Sequence, residues 1–168
     1  MVAGIKMEFY PPEGVVLPPP EENLAFGPGS PVDTWTLVEL STVVPPDVNL
    51  ADIVMIAFEN DPDGDDIGNN TNGPVYFDTV YVERGSQPGV NALQNASFEQ
   101  GTGNPNGMSA FGWSEFAGPI SAARKSLQQF ARQGLNVLRC IGDNTAGVVQ
   151  RVPVTVGETL LIQAYLRQ

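Results

Sequence analysis

The sequence predicts an antiparallel β-sandwich of about nine short strands, and three observations carry that prediction. Apolar residues make up 42% of the 168 positions and recur along the whole chain at a period of two. Glycine (18) and proline (15) exceed average usage and keep interrupting the apolar runs, which is how a chain of strands and turns reads. The length supports one well-packed core, and two only at the lower limit of self-sufficient size.

In chain order, "GIKMEFY" sets Ile5, Met7 and Phe9 on one face and Lys6, Glu8 and Tyr10 on the other, a half-buried strand. The stretch "PPEGVVLPPPEENLAFGPGSP" reads as a long Pro/Gly connection. "DTWTLVELSTVV" is a strand stopped by Pro45-Pro46, and "ADIVMIAFE" is apolar on both faces and therefore central. After the loop "NDPDGDDIGNNTNG" comes "PVYFDTVYVE", in which Val75, Phe77, Thr79 and Tyr81 alternate against Tyr76, Asp78, Val80 and Val82. "RGSQPG" is the one obvious linker. Beyond it "ALQNASFE" reads as a short strand, "GTGNPNG" as a turn cluster and "FGWSEF" as a strand around Trp113. "SAARKSLQQFAR" is the one helical candidate, with Ser121 placed to cap it and Leu127, Phe130 and Ala131 at helical spacing. "LNVLRCIG", "AGVVQRVPV" and "TLLIQAYLRQ" add three strands; the last sets Leu160, Ile162, Ala164 and Leu166 against Gln163, Tyr165 and Arg167. Eight to nine strands with turns between them predict a sandwich of the jelly-roll kind.

Charge and composition narrow the function. A net charge of −11 leaves no basic stripe for a phosphate backbone, so no nucleic-acid partner is expected. The charge is uneven: residues 1–88 hold fifteen acids against Lys6 and Arg84, and residues 89–168 hold four acids against six bases. Complementary halves of this kind favour packing together, within one chain or between chains. No apolar stretch approaches eighteen residues and no basic-then-apolar leader follows Met1, so neither membrane insertion nor a signal peptide is expected. Cys140, the single cysteine, alternates with apolar residues and reads as a buried thiol. Few lysines and the sequons Asn69-Asn70-Thr71 and Asn95-Ala96-Ser97 suit an extracellular or cell-surface protein. Histidine is absent, which removes the usual general base, and "GTGNPNG" has the wrong glycine spacing for a nucleotide loop, so no catalysis is expected.

"NALQNASFEQG" with Trp113 after it, then "GLNVLRCIGDNTAGVVQRVPVTVGETLLIQAYLR", resembles the first half of the jelly-roll carbohydrate-binding modules with a galactose-binding-like fold. "IKMEFYPPEGVV", "DTWTLVELSTVVPPDVNLADIVMIAFE" and "GPVYFDTVYVE" resemble the second half, so the halves stand in permuted order: residues 1–86, a linker over 87–92, then residues 93–168. The chain is either a circular permutant closed within itself, or one period of a tandem repeat whose copies exchange half-sandwiches head-to-tail. Strand edges left at "GIKMEFY" and "TLLIQAYLRQ" are expected to need partners.

The resemblance implies a structural calcium ion held by Glu99 of Phe-Glu and Asp78 of Phe-Asp; the family's usual Phe-Asp-Asp-Val is here Phe77-Asp78-Thr79-Val80, one donor fewer. Independently, "DPDGDD" places Asp61, Asp63 and Asp65 at alternate positions, the opening spacing of a calcium loop, although Asp66 and Asn72 stand where an EF-hand needs Gly and Glu; an exposed acidic loop reads the same. The family order also implies that the first and last strands are neighbours. Lys6, Glu8, Tyr10, Gln163, Tyr165 and Arg167 would then share one polar face able to bind a glycan. Trp35 and Trp113 match core tryptophans of the family. Arg124, Lys125 and Arg132 form a basic segment that fits an acidic neighbour, an acidic glycan or plain solvent. Two functions follow: a non-catalytic carbohydrate-binding-like module repeated in a larger surface protein, or a structural subunit of a self-assembling filament or coat.

Overall fold

Alternation in the sequence becomes two packed antiparallel sheets in the computed structural model of the chain, which describes residues 2–11, 21–26, 33–58, 74–101, 110–116, 122–126, 129–140 and 146–168. Sheet A runs in the order β2 (Glu21–Phe26), β1 (Val2–Tyr10), β4 (Leu50–Phe58), β10 (Ala146–Pro153), β7 (Ser114–Phe116). Sheet B runs β3 (Thr36–Val43), β11 (Thr159–Arg167), β5 (Val75–Arg84), β9 (Asn136–Cys140), β8 (Ala122–Ser126), and β6 (Gln87–Asn91) adds to β5. Strands from residues 1–86 and 93–168 mix in both sheets: β10 lies between β4 and β7, and β11 between β3 and β5.

Each sheet turns one side chain in two inward. Ile5 and Met7 of β1, Ile53 and Met55 of β4, Phe77 of β5, and Ile162 and Leu166 of β11 are fully buried between the sheets. At roughly 1.5–3 kcal/mol for each large apolar side chain removed from water, this layer is what holds the sheets together. β4 is apolar on both faces and is central in sheet A, as its composition predicts. Cys140 is a fully buried free thiol, and burial pushes its pKa far up, so it is inert in the folded chain.

Several expectations are corrected. Ala122–Ser126 is a strand, not the start of a helix: it pairs from Ala122↔Cys140 to Ser126↔Asn136 with β9, whose Val137, Leu138 and Cys140 are buried, and that pairing overrides local helix preference. Residues 93–99, read as a strand, are turns. Asn95 and Phe98 take positive φ there (48° and 58°), outside the extended backbone of a regular strand. The Pro/Gly connection contains β2, and the expected linker over 87–92 is strand β6, joined to β5 through a turn at Gly85 and Ser86. In β5 the alternation breaks at a bulge: Gln163 pairs with Tyr81 but Tyr165 with Asp78, and Thr79 sits at φ 53°. Phe77 and Val80, three residues apart, therefore both face the core. Trp113 is in the core against Phe98, with ring centroids 5.3 Å apart, whereas Trp35 is only half-buried.

Polar side chains pin the connections. Asn91 Oδ1 accepts from Val82 N–H and Leu93 N–H while its Nδ2 donates to Val80 C=O, and Gln150 exchanges two bonds with the Gln94 backbone. Asn95, the acceptor of one sequon, is itself a staple: its amide donates to Gln100 C=O and Phe111 C=O and accepts from Gln100 N–H. The Asn69 sequon lies outside the described residues. Glu158 joins two turns, taking bonds from Arg84, Ser86 and Thr155.

Candidate functional site

Outward residues of sheet A fall in rows set by strand register. Glu8 of β1 stands beside Asp52 of β4, which stands beside Arg151 of β10; one row over, Lys6, Val54 and Val149 line up in the same way. The row beyond is Gly4, Ile56 and Gly147. The result is a groove of about 280 Å³ lined by Lys6, Glu8, Tyr10, Asp52, Val54, Ile56 and Val149.

The polar groups of this groove orient one another. Arg151 grips Asp52 in a two-pronged pair, Nε to Oδ1 at 2.7 Å and Nη2 to Oδ2 at 2.8 Å. Asp52 is nearly buried (side chain 9% exposed) and Arg151 is half in solvent (53%). The same guanidinium lies 4.6 Å from the centre of the Tyr10 ring. Tyr10 donates its hydroxyl to Glu8 Oε2 at 3.0 Å, and Lys6 Nζ meets Glu8 Oε1 at 2.8 Å. Burial, then the Glu8 bond and the Glu8 and Asp52 charges, raise the Tyr10 phenol above its ordinary value against the opposing pull of Arg151, so it stays a donor at neutral pH. Two acids and two bases thus surround one tyrosine beside an apolar floor.

The six predicted glycan residues do not share a face. β1 belongs to sheet A and β11 to sheet B, so Lys6, Glu8 and Tyr10 lie on one outer surface of the sandwich and Gln163, Tyr165 and Arg167 on the opposite one. The family order implied a neighbour pair; here β2 and β4 are the partners of β1, and β3 and β5 are the partners of β11. Asp52 and Arg151 complete the groove instead. Each is the single charged side chain in an otherwise apolar or amide strand, and a register match to Glu8 is the signal that would have found them.

On sheet B the outer face is occupied by the chain itself. Residues 129–135 cross it as a strap: Arg132 lies 3.4 Å over the Tyr165 ring, Phe130 stacks on Tyr76 at 5.0 Å and 8°, and Arg167 covers Phe130 at 5.1 Å. Gln163 donates to Glu39 at 2.6 Å. Asp78 and Glu99 hold the strap. Asp78 Oδ2 accepts from Arg132 N–H and Gln133 N–H, both at 2.9 Å, and its Oδ1 from Thr79 N–H at 2.6 Å. Glu99 Oε1 accepts from Leu135 N–H and Asn136 N–H at 3.0 Å, and its Oε2 from Asn136 Nδ2 at 2.6 Å. Burial raises the Asp78 pKa, although these N–H bonds pull it down.

Those four oxygens therefore face N–H donors, whereas a calcium shell needs oxygens free to bind metal and carbonyls converging beside them. The pair fits a backbone anchor better than a cation site. Asp61, Asp63 and Asp65 lie outside the described residues, as does part of the basic segment's surroundings; Arg132 of that segment is spent on Tyr165. Comparison of the chain with protein-family models, curated proteins and solved structures finds no match.

Proposed function

We propose that the chain is a non-catalytic carbohydrate-binding module of an extracellular or cell-surface protein, taking a glycan in the sheet A groove. One observation carries this reading: two ion pairs, Lys6–Glu8 and Arg151–Asp52, meet at Tyr10, whose hydroxyl bonds Glu8 and whose ring lies under Arg151, beside Val54, Ile56 and Val149. Sugars present hydroxyls that need fixed donors and acceptors, and ring C–H faces that need an apolar or aromatic surface. A pre-bonded set of charged groups supplies the first without rearranging, and the groove floor supplies the second. The alternative class, a self-assembling structural subunit, rests on a different part of the molecule, the edge of sheet B.

The test is retention on a panel of immobilised polysaccharides followed by calorimetry on any that bind. Arg151→Ala and Tyr10→Ala are each expected to weaken binding at least about tenfold, the equivalent of one or two lost hydrogen bonds to charged or aromatic groups. Gln163→Ala, on the opposite face, leaves it unchanged. No retention on any polysaccharide sinks the proposal, and equal loss from Gln163→Ala moves the site off this groove.

A further inference from the structure

The ends of the two sheets are guarded unequally. β7 is only three residues long, β8 carries Arg124 and Lys125, and β2 opens on Glu21-Glu22 with its register to β1 slipping between Ala3 and Gly4. Short length, charge and irregular register are the usual means by which an edge strand avoids another chain. β3 is eight residues long and carries a single charge, Glu39. It pairs with β11 in unbroken register from Thr36↔Leu166 to Val43↔Thr159, contains no proline and no base, and among the described residues pairs with β11 alone. Leu37 and Val43, near its two ends, are 46% and 56% exposed on the outer face.

We infer that β3 is a dimerisation edge, pairing antiparallel with β3 of a second copy about a two-fold axis through Leu40. The sequence of the strand selects this register. Centring on Leu40 sets Leu37 opposite Val43 of the second copy and Glu39 opposite Ser41, twice each by symmetry, and all four are outward residues. Centring on Glu39 sets two carboxylates against each other. A centre on Ser41 pushes Leu37 past the end of the ladder, opposite Pro45, which has no N–H to give. Any centre between residues sets an inward side chain against an outward one. Only the Leu40 axis joins the exposed apolar ends without facing like charges. Sheet B then continues across both copies, and each sheet A groove stays open on its own side, so the dimer is independent of what the groove binds and would present it twice.

Ser41 tests the register because it is exposed and outward. In this pairing S41K sets a lysine opposite Glu39 of the other copy at two places, and S41E sets a glutamate there at two places. Sedimentation of the full chain over a concentration series at low salt is expected to show a monomer–dimer equilibrium. S41K should lower the dissociation constant about fivefold or more and S41E raise it by a similar factor, with the double variant E39K/S41E restoring it. Melting at dilute, monomeric concentration shows whether either substitution disturbs the fold itself. A monomer at every concentration for both the unaltered chain and S41K overturns the inference. So does a dimer indifferent to both changes, which places the contact elsewhere, or growth beyond dimers without limit, which means a head-to-tail contact.

Discussion

The two outer faces of this sandwich start from the same strand pattern and end differently. Sheet A leaves its polar residues to bond one another around an open groove; sheet B folds a piece of its own chain across them. Tyr10 and Tyr165 make the contrast concrete. Each is an outward tyrosine near the end of its strand and each has an arginine over its ring, but Arg151 comes from β10 of the same sheet, one strand beyond β4, whereas Arg132 comes from a strap pinned by two carboxylates. An outward polar residue is thus available to a ligand only when the chain has not already supplied its partner, and that is a property of connections rather than of strands.

The sharpest way to break the contrast is to unpin the strap. Asp78 is fully buried and satisfies the N–H groups of Arg132, Gln133 and Thr79, so Asp78→Ala leaves three donors without an acceptor. The expected loss is about 3 kcal/mol, from donors worth roughly 1 kcal/mol or more each when stranded. Gly134→Ala acts on the same strap through shape: its φ of +74° disfavours a side chain, and a Cβ there runs into the Glu99 carboxylate. Denaturant midpoints measure both losses. Glycan binding to the groove, measured where the variants remain folded, should not change. If it falls in step with stability, the two faces are coupled and the contrast is wrong.

Much of the fold was legible in the sequence, because period-two alternation in β1 and β11 is enforced by burial of every second side chain. What misled was local. "SAARKS" has helical residues, but its conformation is set by Val137, Leu138 and Cys140 on the strand beside it, which are distant in nothing but the reading of a short window. The bulge at Thr79 hides in ordinary alternation, since one extra residue reverses the faces without altering composition. The site was half legible: Lys6, Glu8 and Tyr10 stand out on one strand, while Asp52 and Arg151 join them only through register across three strands, and register is not written in any one of them.

A smaller effect comes from Glu158, which ties the turns at one end of the sandwich and touches neither outer face. Burial raises its pKa, but the bonds from Ser86, Thr155 and Arg84 outweigh burial and leave it below the ordinary carboxylate value. Its folded pKa is therefore lower than its unfolded one, near 4.3 for a free glutamate. The stabilisation is complete above that unfolded value and fades as pH falls through the depressed folded value. Glu158→Gln should flatten this slope, costing about 1 kcal/mol at neutral pH and almost nothing in strong acid. Denaturation curves of both chains at a series of pH values measure it. A pH profile identical in the two would mean that Arg84 and Ser86 contribute nothing through this carboxylate.

The mildest intervention is the most informative about the faces. Arg132→Ala removes the guanidinium 3.4 Å above Tyr165 but keeps the strap's backbone, whose N–H at this position still donates to Asp78. The lost contact is worth about 1 kcal/mol or less at a partly exposed ring. What the change uncovers matters more. With Tyr165 bare beside Gln163 and Arg167, sheet B acquires an open aromatic and two polar neighbours, the ingredients that sheet A already displays around Tyr10. Calorimetry with a polysaccharide that the groove retains should then show a second, weaker site in Arg132→Ala, abolished by adding Tyr165→Ala and untouched by Tyr10→Ala. A stoichiometry unchanged from the parent would mean that the cover on sheet B is not what separates the faces, and that the apolar floor of Val54, Ile56 and Val149 decides where a ligand can lie.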